Sequence, residues 1–321
     1  MTTYDLVTMG RVGVDLYPQQ HDVPLEVVKT FERYLGGNAA NVSVAAARHG
    51  LRVALISRVG NDAFGRFVRS ELLRLGVDTE YVTAVDDPTP TPLTFCEIYR
   101  PDHFPTVFYR YPTAPDLMIE PDTVPIDVVQ QARAFWTTGT GLCQEPSRAA
   151  HHAAWDARAR QRWTILDLDY HQPFWPSPAA AAEQLRLALP KVTAVVGTVE
   201  ECTILTGRID VRAAAEALME TGLELVVVKR GHLGLLALSG EGLLELGAYP
   251  SGVVSGLGSS EAFGGALVHG LLSGWDLRRM LTFASIAGAI VASRLEASTA
   301  MPTSDEVDRL LDDVGVQDEF S

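Results

Sequence analysis

The chain has 321 residues, 47 % of them hydrophobic and 21 % charged, enough to bury a large core in one big domain or two smaller ones. Its net charge of −14 at pH 7 argues against a general electrostatic grip on nucleic acid or on an anionic membrane. MTTYDLVTMG at the start carries no basic, apolar-cored leader, no stretch approaches a membrane span, and Cys96, Cys143 and Cys202 form no CxxC pair, so a soluble cytoplasmic protein with buried, reduced thiols is expected.

In chain order, short apolar runs alternate with helical patterns, which points to βα units around a parallel sheet. The expected strands are residues 5–9, 52–57, 134–138, 164–168, 193–197 and 225–229. NVSVAAARHG (41–50) is expected to form a small-residue helix. DAFGRFVRSELLRLG (62–76) is an amphipathic helix pattern with Asp62 at its start and Gly76 just past its end. Residues 91–116 break the rhythm, because two alternating runs, 94–99 and 106–111, flank a turn-like PDHFP and suggest a hairpin projecting from the main sheet. A second extended piece near 14–28 is placed to pair with it, and strands outside a parallel core often form a lid or a subunit contact. Residues 151 and 152, both His, fall on a helix that reads as polar-faced. Runs at 233–238 and 242–246 suggest an edge hairpin, and three helices follow, the first at 262–272 and the last at 304–313.

The polar motifs gather at strand ends. GRVGVD follows the first strand and puts Asp15 at the carboxyl edge, where open α/β sheets bind ligands; the bland alternative is a solvated loop acid. GGNAAN (36–41) is either a tight strand-to-helix entry with Asn as cap or a pair of glycines that lets a ligand hydroxyl reach the backbone, with Asn41 bonding it. DLDYHQPFW places Asp167 and Asp169 at another strand end. EEC (200–202) offers a carboxylate suited to ordering a Mg²⁺ shell, and KRGHLG (229–234) a cation with two glycines. GLGSSEAFGG (256–265) leads into a helix whose first N–H groups suit a phosphate or a developing oxyanion; the plain alternative is a helix start capped by serines. GxSxG, HExxH and the P-loop pattern GxxxxGK[ST] do not occur.

Taken together and in order, GRVGVDLYP, FERYLGGNAANVSVAAARHG, RVGNDAFGRFV, FYRYPTAPDL, DLDY, GGALVHGLLSGW and IVASRLEASTAMPT resemble the ribokinase (PfkB) family of carbohydrate kinases over essentially the whole chain. Within it they are most similar to the 5-dehydro-2-deoxygluconokinase subgroup of inositol catabolism. The resemblance implies a ribokinase-like three-layer α/β sandwich with a mainly parallel central sheet. It also implies a single domain over 1–321, with a small β lid built from about 11–28 and 91–116. It implies ATP and Mg²⁺ as cofactors, a sugar acid or cyclitol as phosphoryl acceptor, and a homodimer through the lid. Carried over by position, Asp15, Gly36, Gly37, Asn41, Arg110 and Asp169 face the substrate. Lys229, Gly231, Gly234, Thr198 and Ser285 face the nucleotide, Glu201 the metal through water, and Gly258, Ser259, Ser260 and Glu261 the reaction centre.

The departures from the family pattern are concentrated. Where the family has Gly-Ala-Gly-Asp, this chain has Gly258, Ser259, Ser260 and Glu261; Thr198 stands for the Asn of an Asn-x-x-Glu motif, and Ser285 for Asn. Glu261 keeps the carboxylate of the base but shifts it by over ~1 Å, a misplacement that can cost ~100-fold in rate. The Cβ of Ser260 is expected to crowd the transferred phosphate or to forbid the φ its glycine needed. Three readings follow: an active kinase with Glu261 as base, a sugar- or cyclitol-binding pseudokinase, or a homologue rebuilt for other chemistry on a sugar phosphate.

Overall fold

The computed structural model describes residues 3–86, 88–99, 103–250 and 252–318. It resolves into two compact units, Met1–Arg11 with Asp116–Ala248 and Val12–Pro115 with Tyr249–Ser321. The first unit opens with β1 (Leu6–Met9). The chain then builds the second unit from β2 (Gly13–Pro18), β3 (Phe31–Gly36), α1 (Asn38–Arg48), β4 (Val53–Val59), α2 (Ala63–Arg74), β5 (Val77–Asp78), β6 (Val82–Ala84), β7 (Leu93–Cys96) and β8 (Thr106–Tyr109). It returns to the first unit for α3 (Ile126–Gln131), β9 (Ala134–Thr138), α4 (Ser147–Arg158), β10 (Thr164–Asp167), α5 (Pro178–Ala188), β11 (Ala194–Thr198), α6 (Val199–Thr206), α7 (Val211–Met219), β12 (Leu225–Lys229), β13 (Leu235–Ser239) and β14 (Gly242–Leu246). The second unit closes with α8 (Ser259–Ser273), α9 (Leu277–Ala292) and α10 (Ser304–Asp318).

In the first unit the strands run in the order β1-β9-β10-β11-β12-β13-β14. Pairings are parallel from β1 to β12, and antiparallel for β13 and β14. Every residue of β1, β9 and β10 is buried, as expected of parallel strands covered on both faces. Their apolar runs (LVTM, AFWTT, TILD) therefore lack alternation, and their polar ends collect at one edge.

In the second unit β2, β3, β7 and β8 make a separate four-stranded sheet in the order β3-β2-β7-β8, with β2 and β7 parallel and the other two pairs antiparallel. The extended piece near 14–28 is in fact a strand ending at Pro18, followed by a short turn at Leu25–Val27. The hairpin expected at 94–111 is present, but β7 stops at Cys96 and the connection is reduced to one bridge between Tyr99 and His103. Pro101 and Asp102 of the expected turn lie outside the described residues. Sequence periodicity missed β3, whose FERYLG has no clean alternation because Tyr34, Leu35 and Gly36 are all buried.

Helix starts also moved. The 41–50 helix begins at Asn38, because Gly37 at φ 104° turns the chain straight from β3 into α1 and is itself the N-cap, so no Asn caps it. The 262–272 helix begins at Ser259, one residue after Gly258 in the left-handed region. The 233–238 strand begins at Leu235, since Gly231–Leu233 form a tight turn. Asp62 caps α2 by accepting from Gly65 N at 2.7 Å, and it also accepts from Thr91 N and Oγ1, both at 2.8 Å. The helix carrying His151 is not polar-faced there: His151 is fully buried. Burial pulls its pKa down to about 4, so it folds neutral. The three cysteines are free, two of them buried, and no helix among the described residues is long and apolar enough to cross a membrane.

Helices α1 and α8 pack closely because Gly265 has no side chain, and a Cβ there would sit 2.6 Å from Ala46 N. Gly265→Ala is expected to lower stability by about 1–3 kcal/mol through overpacking. That loss comes despite the roughly 0.5–1 kcal/mol by which Ala is favoured over Gly in a helix. Gly240→Ala, which meets open space, should change stability by less than about 0.5 kcal/mol in the same guanidinium chloride titrations.

Candidate active site

Of the residues expected to face the substrate, Asp15, Gly36, Gly37, Asn41 and Arg110 lie in the second unit. Asp15 and Gly36 lie on adjacent antiparallel strands, where Asp15 is opposite Tyr34 and Gly13 opposite Gly36. The Asp15 carboxyl group lies over the Gly36 Cα so closely that any Cβ would overlap all of its atoms. Gly37 has a left-handed φ of 104°, so both glycines of the GG pair are needed, for different reasons. Asn41 follows in the first turn of α1. It is 4 % exposed, and its Oδ1 has no hydrogen-bond partner, an unusual state for a buried amide oxygen.

The GSSE loop belongs to the same unit. Gly258 (φ 83°) caps α8 without a side-chain bond, and a Cβ there would press on Ala297 Cα at 2.8 Å. Ser259 does not cap the helix either: its hydroxyl donates to Gly288 O at 3.0 Å, on α9. Ser260 lies in the first turn of α8 and has no positive φ. No side chain therefore caps this helix start, where the main-chain N–H groups form the positive pole and Ser259 N donates to Gly256 O at 3.4 Å.

Glu261 and Asp15 share a neighbour. Tyr17 is 1 % exposed, and its phenol pKa is raised well above the ordinary value, first by burial and then by the charges of Asp15, Cys96, Glu261 and Tyr34. The Cys96 thiol is pushed up by burial and by Asp15. Tyr17, Tyr34, Cys96 and Ile98 form a small core on the inner face of the four-stranded sheet, closed by Phe104, Leu257 and Leu295. The small sheet is therefore packed on the loop that carries Gly258 to Glu261. Arg110, just after β8, is buried at the edge of this sheet, and Ser285 is half-buried on α9. Tyr17 and Tyr34 had no motif to flag them, although both sit within the phrases quoted above.

Of the residues expected to face the nucleotide and metal, Thr198, Glu201, Lys229, Gly231 and Gly234 lie in the first unit and Ser285 in the second. Thr198 and Lys229 are register partners at the carboxyl ends of β11 and β12. Thr198 and Glu201 form a capping box on α6: Thr198 Oγ1 accepts from Glu201 N at 3.3 Å and Glu201 Oε2 accepts from Thr198 N at 2.6 Å. Glu201 Oε1 accepts from Tyr170 N at 2.9 Å, so both carboxylate oxygens are engaged by the backbone. Among the described residues no three His, Cys, Asp or Glu side chains gather as a direct metal site. Gly231 takes φ 59°, and Gly234, at φ 84°, has the hairpin backbone at Gly247 C within 2.5 Å of where a Cβ would stand.

Asp169 is held in the first unit as well. It takes the left-handed φ of 39°, is 7 % exposed, accepts from the Thr140 hydroxyl, and has His171 Nε2 at 3.2 Å and Arg11 Nη2 at 4.0 Å. Burial alone would raise its pKa, but the His171 hydrogen bond, the His171 and Arg11 charges and the Thr140 hydroxyl together hold it well below the usual carboxylate range. Arg11, Thr140 and His171 were not expected from sequence; Arg11 stands inside GRVGVD, and His171 inside DLDYHQPFW.

Residues 4–304 match the model of the pfkB family carbohydrate kinases. The chain belongs to that family. It is 31 % identical to 5-dehydro-2-deoxygluconokinase of Bacillus subtilis (strain 168) over 313 residues, covering 96 % of each chain. It is 32 % identical to the enzyme of the same name from Shouchella clausii (strain KSM-K16) over 315 residues, covering 97 % of this chain and 96 % of the relative. In structure it is similar to a fructokinase from Xylella fastidiosa with bound ATP, at 22 % identity and a TM-score of 0.85, over 97 % of this chain and 99 % of that one. The fold is therefore ribokinase-like, as the sequence phrases imply.

In this pfkB chain the tie between Asp15 and Gly36 is open to a stability test. Gly36→Ala should destabilise by about 1–3 kcal/mol in the native background. In an Asp15→Gly background the penalty should shrink, giving a coupling of about 0.5–3 kcal/mol in a double-mutant cycle followed by chemical denaturation. Additive effects would separate the two residues.

Proposed function

We propose that this chain is an ATP-dependent carbohydrate kinase that phosphorylates a hydroxyl of a sugar acid or cyclitol of the 5-dehydro-2-deoxygluconate type. The observation that carries the proposal is that the strand bearing Asp15 and Tyr17 is packed, through the Tyr17 cluster, against Leu257 of the loop that leads into Glu261 on α8. In this reading Asp15, Gly36, Gly37 and Asn41 hold the polyol, and Arg110 meets its carboxylate or a hydroxyl. Asn41 Oδ1, buried without a partner, is suited to accept from a ligand hydroxyl. Glu261 takes the proton of the reacting hydroxyl, and the first N–H groups of α8 hold the negative charge that develops on the transferring group.

The residues present fit ATP, which with Mg²⁺ supplies the phosphoryl group and divalent charge. The start of α8, capped by no side chain, offers anion donors, and Lys229, Gly231, Gly234, Thr198 and Ser285 would lie along the nucleotide. Asp169 would stand on the substrate side. Because the backbone takes both Glu201 oxygens, Glu201 would act on the metal through its water shell rather than as a direct ligand. In this proposal the protein works in the cytoplasm, in inositol catabolism, as the sequence resemblance implies.

The second reading, a sugar-binding pseudokinase, is favoured by Glu261 alone, since its longer side chain changes the reach of the base. Both are tested by following ADP formation with a panel of sugar acids and cyclitols, alongside calorimetric binding of each. The kinase reading expects turnover with one of them, and a ~10²–10⁴-fold loss of turnover with retained sugar affinity in Glu261→Gln. Sugar binding with no turnover in the native chain would establish the pseudokinase instead.

We also propose that the chain dimerises through the outer face of the four-stranded sheet. There Val107, Tyr109 and Tyr111 are 44 %, 61 % and 75 % exposed, and the rings of Phe31, Phe95 and Tyr109 make successive edge contacts. A large exposed apolar face on a sheet with open edges is most readily covered by a second copy. Light scattering should report a dimer that Val107→Asp with Tyr109→Asp converts to a monomer; a monomeric native chain would remove the idea.

A further inference from the structure

Three adjacent parallel strands deliver one polar residue each to the same place. Arg11, Thr140 and Asp169 each lie two residues beyond the last residue of β1, β9 and β10, which are neighbours in register. His171 follows on the Asp169 loop, and its Nε2 stands 3.2 Å from Asp169 Oδ1 and 3.4 Å from Arg11 Nη2. A single imidazole nitrogen carries either a proton or a lone pair. With a proton it donates to Asp169 and turns an N–H toward the guanidinium. With a lone pair it accepts from Arg11 and turns that lone pair toward a buried carboxylate. It cannot satisfy both neighbours at once.

Charge decides between these states. Asp169 is anionic and 5 % exposed at its side chain, Arg11 is cationic and 10 % exposed, and only the His171 edge, at 32 %, opens to solvent. With neutral His171 the Asp169–Arg11 charges cancel; with a proton on His171 the cluster carries one net positive charge. The other groups facing this loop are Glu201, which accepts from Tyr170 N, and Glu200, whose charge acts on the Tyr170 phenol. Phe174 flanks both cations, its ring centroid 5.3 Å from the His171 ring and 6.0 Å from the Arg11 guanidinium carbon. The cluster lies at the carboxyl edge of a parallel sheet, where ligands of such sheets bind. The left-handed Asp169 backbone is the kind of local strain that collects at ligand sites.

We propose that Arg11 and His171 form a proton-coupled oxyanion site: a carboxylate or phosphate oxygen binds to this pair as His171 takes up a proton from solvent and, as an imidazolium, donates a hydrogen bond from Nε2–H to Asp169. Asp169 is the internal counter-ion that lets the pair stay charged, and the incoming oxyanion neutralises the extra charge. The proposal deepens the kinase reading by adding a second anionic group to what the protein recognises, but its test does not depend on turnover.

The experiment is ¹⁵N NMR of the histidine-labelled full chain, with the His171 signals assigned by their loss in His171→Gln. The titration of Nε2 is followed alone and with D-gluconate, inorganic phosphate or the neutral polyol sorbitol. One or both anions should move the His171 titration up by about one pH unit, the scale expected for an opposite charge at contact. Sorbitol should not move it, and Arg11→Gln should abolish the shift. A shift with gluconate alone marks a sugar-acid carboxylate subsite, and one with phosphate alone a phosphoryl subsite. A titration unmoved by either anion, or moved equally by sorbitol, overturns the proposal. Loss of ATP turnover with the shift intact would count against the kinase reading only.

Discussion

The substrate half of this molecule depends on an empty position. Asp15 can lie where it does only because Gly36, across the β2–β3 pair, presents no Cβ. A carboxylate seated on a main-chain surface has few rotamers to lose when a ligand arrives, so its ordering cost is already met in the folded chain. The next residue, Gly37, needs its own left-handed φ to turn β3 into α1, which brings Asn41 into the first turn of that helix. Two consecutive glycines therefore do unrelated jobs, one steric and one conformational, and together they fix the side chains expected to meet a polyol.

The first unit solves a different problem, how to give carboxylates at a sheet edge their hydrogen-bond partners. Glu201 does so with two backbone N–H groups, one from its own helix start and one from the loop after β10. Asp169 does so with a hydroxyl, an imidazole and a guanidinium that arrive from neighbouring strands. The Tyr170 N–H to Glu201 bond links the two arrangements, so the Asp169–His171 loop and the start of α6 are parts of one hydrogen-bonded edge. Such networks favour a single arrangement, because any half-made version leaves a buried charge exposed to a low dielectric.

Much of this was legible in the sequence, for reasons that are physical. Strands such as 134–138 and 225–229 were read to the residue because fully buried parallel strands are uninterrupted apolar runs bounded by polar ends. Asp15, Gly36 and Gly37 stood out as a strand-end acid and a glycine pair, but each also had a plain structural reading, and their substrate role came from the family resemblance alone. What periodicity could not show was contact between distant segments: Arg11 beside His171 needs the register of β1, β9 and β10, and Tyr17 beside Glu261 needs the small sheet folded over the loop. The start of α1 was misplaced because Asn41 resembles a cap, whereas the backbone had already turned at Gly37. The buried state of His151 was missed for a related reason: its ring fills the space left by Gly141, ten residues earlier, with Nδ1 3.0 Å from where a Cβ would stand.

The unusual reaction loop looks different once its backbone is known. Thr198, where the resemblance places Asn, is still a helix N-cap, and Thr and Asn both serve that role with a short side-chain oxygen. Ser259 spends its hydroxyl on Gly288 O, tying the loop to α9, and Ser260 occupies ordinary right-handed helix. Gly258, the position where a side chain would both clash and strain the backbone, has kept its glycine. These substitutions therefore leave the start of α8 a regular helix entered from Gly258. The burden of the departure falls on Glu261, whose carboxylate must find, with one more rotatable bond, the place that a shorter acid would reach directly. Whether this chain transfers phosphate is thus a question about the reach of one side chain, not about the integrity of the fold around it.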